Sequence, residues 1–426
     1  MKKLTRIILY ALFFFVILFP ELIRKPGLPA IRFEDVLLSL IIFHLFVAVS
    51  EKKSFFRASK ITHLILFIGY FSLFSLGVQE LGLSMKITIN DIMIFPMLFK
   101  YLMFYQFAKY FIVNEDEFSG IFTVITLCGL FAALIAIFQY QAWISINQWF
   151  TPMYNVRPLL LRALQQKLLF RRAVGTHGDP RHFGYILVFI SCFLLNIIIH
   201  KKNISKKIMY ISLQMIIILA IIATVSRTVI IALIIVLLFS IFNYVKIRGK
   251  LLKFLPISII IIGLSLTYTI SRMNVEEQIE SRLLDTETRS YQHSFHARVR
   301  DFIKPLNRAF KNPSLIILGM GSAKEYMRTD SHNEYGWLFQ RYGIVGLILY
   351  IMIIYYGLKF SLIKYRNAQD INYQILYLAI ASVMVNWAIF CMAENILKQI
   401  QLMPLNMMAL GFIGELEDNS KNNVIE

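Results

Sequence analysis

The sequence predicts an all-α polytopic membrane protein of about twelve transmembrane helices, with a large external loop that contains interfacial helices. Three observations carry this expectation. The 426 residues are 58% hydrophobic and only 16% charged, with a mean hydropathy of +0.63, well beyond soluble globular composition. Apolar runs of roughly 18–22 residues recur along the whole chain, each long enough to cross about 30 Å of hydrocarbon. Basic residues concentrate in the short connections between these runs, as they do on the cytoplasmic side of a membrane protein.

In chain order, the expected spans centre near Phe13, Ile42, Leu66, Leu98, Leu130, Val188, Ile217, Ile234, Ile261, Leu349, Val383 and Met407. The first follows Lys2 and Lys3 and resembles a signal peptide, but no small-x-small cleavage site precedes Glu21 and Arg24, so it reads as a retained span. Cys128, Cys192 and Cys391 all lie inside apolar runs without metal-ligand or redox spacing, so they read as packing residues. Residues 1–426 form a single integral membrane unit in this reading. Threading the spans places Lys52, Lys53, Arg57 and Lys60, then Lys201 and Lys202, then Lys246 and Arg248, then Lys359, Lys364 and Arg366, on one face. Both termini fall on that cytoplasmic side, and the acidic, Asn-rich residues 415–426 read as a disordered tail.

Two long segments, residues 145–182 and 271–333, fall on the opposite, external face although both are rich in arginine. Long loops translocate largely regardless of charge, so their arginines are open to another explanation. Arg157, Arg162, Arg171, Arg172 and Arg181 in the first, with Arg282, Arg289, Arg298, Arg300 and Arg308 in the second, favour arginine over lysine, as phosphate recognition does. A phospholipid or lipid pyrophosphate is the anion expected at a membrane surface; nucleic acid is not. Val299, Phe302, Ile303, Leu306 and Phe310 recur at helical spacing beside charged positions, the pattern of an interfacial helix. A weaker example runs over residues 158–170.

Several polar residues stand out against this background. Lys100, His44, Asn386 and Glu394 interrupt apolar runs, and ionisable groups there are functional candidates by default. Lys100, mid-way along its span, is expected to hold a phosphate or carboxylate, while Glu394 and Lys398 read as an edge pair one turn apart. Arg227 sits in the short VSRT connection at the membrane boundary, where the alternative is snorkelling to lipid phosphate. The spacing His177, Asp179, His182 is a poor metal signature, and a hydrogen-bonded loop is the better reading. Ser331 and Glu334 fit a capping box, which would place His332 in the first turn of a helix. The positive end of the dipole disfavours a second proton there, leaving a neutral imidazole able to accept one from a hydroxyl. Gly343 and Gly346 follow, read as sites of close backbone approach.

Four stretches in order resemble the O-antigen polymerase and O-antigen ligase superfamily, the C-type membrane glycosyltransferases of bacterial polysaccharide assembly. Residues 172–184, RAVGTHGDPRHFG, resemble that family's entrance to a span, and Ser226-Arg227-Thr228 its S-R-[ST] turn. Arg298, ahead of Pro313 and the LGMG of residues 318–321, resembles its arginine, amphipathic helix, N-P and L-G-x-G order. His332-Asn333 followed by Gly343-x-x-Gly346 resembles its closing motif. The chain departs where Val299-Arg300-Asp301-Phe302 stands in place of the family's usual tryptophan, and where His177 and Arg181 replace less polar residues.

The resemblance implies a bacterial cytoplasmic-membrane enzyme active on its external, periplasmic face. It would transfer a glycan from an undecaprenyl-pyrophosphate carrier to a sugar hydroxyl, inverting, with no metal or other cofactor. His332, Arg227 and Arg298 would be catalytic, and Arg172, Asp179, Arg181, Arg300, Asn333 and Lys100 would bind substrate. Membrane lipid and a chain-length regulator protein are the further partners it brings into view. Polymerase is the first reading, favoured by Arg341-Tyr342-Gly343, and ligase acting on lipid A-core the second. A lipid-linked oligosaccharide flippase, which needs no external loop ending in a histidine, and a non-catalytic scaffold remain as other classes.

Overall fold

The structure, a computed structural model, describes residues 2–19, 33–50, 59–83, 94–114, 119–143, 172–248, 313–319, 333–397 and 402–414, with isolated positions at 92, 146, 147, 303 and 307. These residues form twelve helices and no strand. They are α1 (Lys2–Leu18), α2 (Phe33–Ser50), α3 (Lys60–Leu83), α4 (Ile94–Asn114), α5 (Ser119–Gln141), α6 (Pro180–His200), α7 (Ile204–Ala223), α8 (Arg227–Arg248), α9 (Pro313–Leu318), α10 (Glu334–Asn367), α11 (Ile371–Cys391) and α12 (Met403–Gly411). Isoleucine-rich stretches such as that of α7 have little intrinsic preference for helix. In hydrocarbon, though, each backbone N–H and C=O must be satisfied within its own segment, and helix is what achieves that.

Among the described residues, seven helices are long and apolar enough to cross a membrane: α3, α5, α6, α7, α8, α10 and α11. The chain is thus an all-helical, multi-pass membrane protein. The helices at three of the twelve expected spans, α1 near Phe13, α2 near Ile42 and α4 near Leu98, are not among the seven. Around Met407 there is only the nine-residue α12, about 13 Å long at the rise of an α-helix and too short to span. All nine of its residues are nevertheless buried, with Gly411 set against the Tyr105 carbonyl of α4. The span expected near Ile261 lies outside the described residues, as do the expected interfacial helix over 295–310 apart from positions 303 and 307, its weaker counterpart over 158–170 and the tail 415–426.

The centre of the bundle is α6 with α11. In α6, 83% of the apolar window is buried, against 39% in α7, whose Ile204, Ile208 and Met209 stay exposed to the surroundings. Small residues allow the close contacts that hold such a bundle: a side chain at Gly184 of α6 would occupy the place of Val229 of α8, and one at Gly357 of α10 that of Leu410 and Met384.

The ends of α1 and α5 bond residues 174–177 just ahead of α6, the end of α7 turns into the start of α8, and the turn after α11 bonds Glu334 at the start of α10. His200 and Tyr365 join the far ends of α6 and α10 at 3.2 Å. Lys201, Lys202, Lys206 and Lys207 lie at that same end, as do Lys359, Lys364 and Arg366. Every singled-out motif residue that is described, from Arg172 to Gly343, lies at the other.

Candidate functional site

The motif end is built around residues 172–179, which bond to three helices. Gln139 of α5 accepts from the backbone N–H groups of Val174 (3.1 Å) and Gly175 (2.8 Å) and donates to the Gly175 carbonyl (3.0 Å). Thr176 donates to the Ile17 carbonyl of α1 at 3.4 Å, and His177 Nε2 to that of Val16 at 3.2 Å. His177 thus belongs to a hydrogen-bonded loop, and among the described residues no group of three His, Cys, Asp or Glu side chains could hold a metal. On the third side Ala173 N–H donates to the Ala223 carbonyl at the end of α7, at 2.9 Å.

Arg172 reaches the same turn: its Nε donates to the Thr224 carbonyl and its Nη2 to that of Val225, both at 3.3 Å. This brings the RAVGTHGDP stretch against the VSRT connection. Val225 has φ 48°, a left-handed conformation that costs a β-branched residue about 1–2 kcal/mol. Such strain persists only where the surroundings over-determine it, and the guanidinium of Arg172 on its carbonyl is part of that restraint. Immediately after the turn Arg227 begins α8, partly exposed.

Asp179 caps α6, accepting from Arg181 N–H at 2.8 Å with Pro180 in the first turn. The Arg181 guanidinium forms an ion pair with Glu394, and its Nε lies 3.6 Å from Asp179. His182 Nε2 stands 3.8 Å from the second Glu394 oxygen. Glu394 therefore faces the start of α6; Lys398, its expected partner, lies outside the described residues.

The helix after the long loop also starts differently from the expected capping box. Its cap is Asn333, whose Oδ1 accepts from Gly336 N–H at 2.5 Å, and Glu334 is the first helical residue. Glu334 is fully buried and accepts from the Leu397 N–H at 3.0 Å. Its carboxylate thus bonds the 392–397 turn; with Glu394 on Arg181, that turn ties α10 to α6.

Near Gly343 the helix kinks (φ 62°, ψ −164°) and the end of α9 docks into the bend. A side chain on Gly343 would fall on the carbonyls of Ile316 and Ile317, and one on Gly319 (φ 71°) on the Arg341 carbonyl and the Gly343 amide. Ser75 of α3 completes the junction by donating to the Leu318 carbonyl at 2.8 Å.

Of the residues expected to act, Arg172, Arg227, Asp179, Arg181 and Asn333 gather at this end. Lys100 has a different setting: its ammonium lies 2.5 Å from Asp35 and 3.4 Å from Glu34, so the protein's own carboxylates hold it. His44 bonds Thr5 at 3.0 Å between the rings of Phe107 and Tyr110. His332, Arg298 and Arg300 lie outside the described residues. Gln139, the buried Glu334 and the fully buried Arg341, whose guanidinium lies over the Trp337 ring at 5.7 Å, were not singled out as site residues. The available signal was polarity close to an apolar run, as for Gln139 near the end of α5.

Fold and site together define a multi-pass helical membrane protein with an arginine-bearing polar end built from distant motifs. No protein-family model matches the chain, and no curated protein matches it either.

Proposed function

We propose that this protein is a membrane glycosyltransferase of bacterial polysaccharide assembly, acting as an O-antigen-type polymerase on lipid-pyrophosphate-linked glycans. The observation that carries the reading is the contact of Arg172 with the turn that presents Arg227. It joins the two arginine motifs of the family resemblance at one end of the bundle. With the basic end cytoplasmic, that polar end faces the periplasm.

In this mechanism the acceptor sugar hydroxyl attacks the anomeric carbon from the face opposite the pyrophosphate. The new glycosidic C–O bond forms as the bond to pyrophosphate breaks, inverting the carbon. His332 takes the hydroxyl proton. Arg227 and Arg298 offset the charge growing on the pyrophosphate, which departs with its carrier lipid.

The test is a gel of surface and lipid-linked polysaccharide from a deletion strain carrying empty vector, the wild-type gene, His332→Ala or Arg227→Ala, with insertion confirmed by immunoblot. We expect long chains only with the wild type, and single repeat units from the deletion and both variants. Long chains stranded on carrier lipid in the deletion strain would make the protein a ligase, and a His332→Ala ladder matching wild type would remove the histidine from the mechanism.

A further inference from the structure

We infer that Gln139 is a positioning residue for Arg227, acting through residues 172–175. The inference rests on the reading of Arg227 as a pyrophosphate-binding group.

Gln139 is buried in the last turn of α5. Its three bonds to Val174 and Gly175 all go to the backbone of one short stretch, two accepted and one donated. The amide therefore pairs with the chain much as a neighbouring strand would, using donor and acceptor at once. Glutamate of the same length has no donor for the Gly175 carbonyl, and methionine has neither function. The same stretch is bonded on its other side, through Ala173 to Ala223 and through Arg172 to Thr224 and Val225. Four consecutive residues thus connect the end of α5 to the strained turn, and Arg227 is two residues beyond the Val225 carbonyl.

The strap has little room to shift. Gly175 adopts φ 56°, and the Phe183 ring fills the place its side chain would take. A buried polar group left without its partners is costly, so removing the Gln139 amide pushes the Val174 and Gly175 backbone toward other partners and releases the register of Arg172. Position at the arginine turn is then lost without any change in the arginine itself.

The experiment is titration calorimetry of inorganic pyrophosphate into the detergent-purified full-length protein, for wild type, Gln139→Met, Arg227→Ala and the double variant. We expect Gln139→Met to weaken binding about fivefold and Arg227→Ala about tenfold or more, while the double variant binds no more weakly than Arg227→Ala alone. That non-additivity separates positioning from a general loss of structure, which would weaken every background equally. Should Gln139→Met fail to accumulate, Gln139→Asn, one methylene too short to reach both partners, takes its place in the cycle. Wild-type binding by the Gln139 variant, or effects that multiply in the double, would overturn the positioning role alone. A wild-type protein that binds no pyrophosphate would instead remove the reading of Arg227, and this inference with it.

Discussion

Gly343→Ala is expected to prevent stable accumulation of the protein. Alanine at φ 62°, ψ −164° enters a region that is essentially glycine's own. Its methyl group would also meet the Ile316 and Ile317 carbonyls, which are backbone and cannot rotate away. Relief requires α9 to leave the bend, which opens the reciprocal contact at Gly319 and the Ser75 bond to Leu318. Strain plus loss of that junction puts the change in the exceptional class, above about 4 kcal/mol. Gly77→Ala in α3 is the control: nothing lies within 4 Å of its added methyl, so helix propensity alone predicts a gain of about 0.5–1 kcal/mol. Fluorescence-detected size-exclusion chromatography of solubilised membranes reads both. A monodisperse Gly343→Ala peak of wild-type height and melting temperature would show that the kink tolerates a side chain.

Lys100→Met carries the second large effect. The Lys100 side chain is 7% exposed and that of Glu34 1%, so the substitution keeps the volume but removes a cation from beside a buried acid. Breaking such a pair from one side costs about 3–5 kcal/mol, because the remaining charge loses its compensation. Asp35, whose side chain is 37% exposed, contributes less, since water screens it. In detergent a loss of this size corresponds to a melting temperature lower by roughly 5–10 °C. Adding Glu34→Gln should restore much of it, because the second change removes the buried charge itself. A single variant as stable as wild type would mean the cluster is hydrated and worth little. With Lys100 so engaged, it is the counter-ion of Glu34 and Asp35 at the start of α2.

The contrast between Lys100 and Arg172 marks how far the chain can be read without its fold. Both are cations near membrane-spanning segments, and spacing alone treats them alike. One is matched by acids from α2, which lies far away in sequence. The other is turned onto two main-chain carbonyls of the α7–α8 turn. Neither partner set has a local signature. Glu334 shows the same limit at shorter range, since S-x-x-E fits a capping box while the carboxylate in fact bonds Leu397 across the bundle. Gln139 was missed because a lone glutamine near a helix end carries no motif; its importance lies entirely in what it meets.

The sequence by itself determined the all-helical, membrane-crossing architecture and the short motifs that attract attention. Hydrocarbon thickness and the need to satisfy every backbone polar group leave a long apolar run with few options, so composition and length are enough. Only the tertiary structure decided which polar groups meet: Arg172 with the strained turn, Arg181 with Glu394, Lys100 with its acids, and α9 with the bend at Gly343. Those pairings depend on the rotation and depth of each helix, which are set by packing against neighbours and leave no trace in the order of residues along any one span.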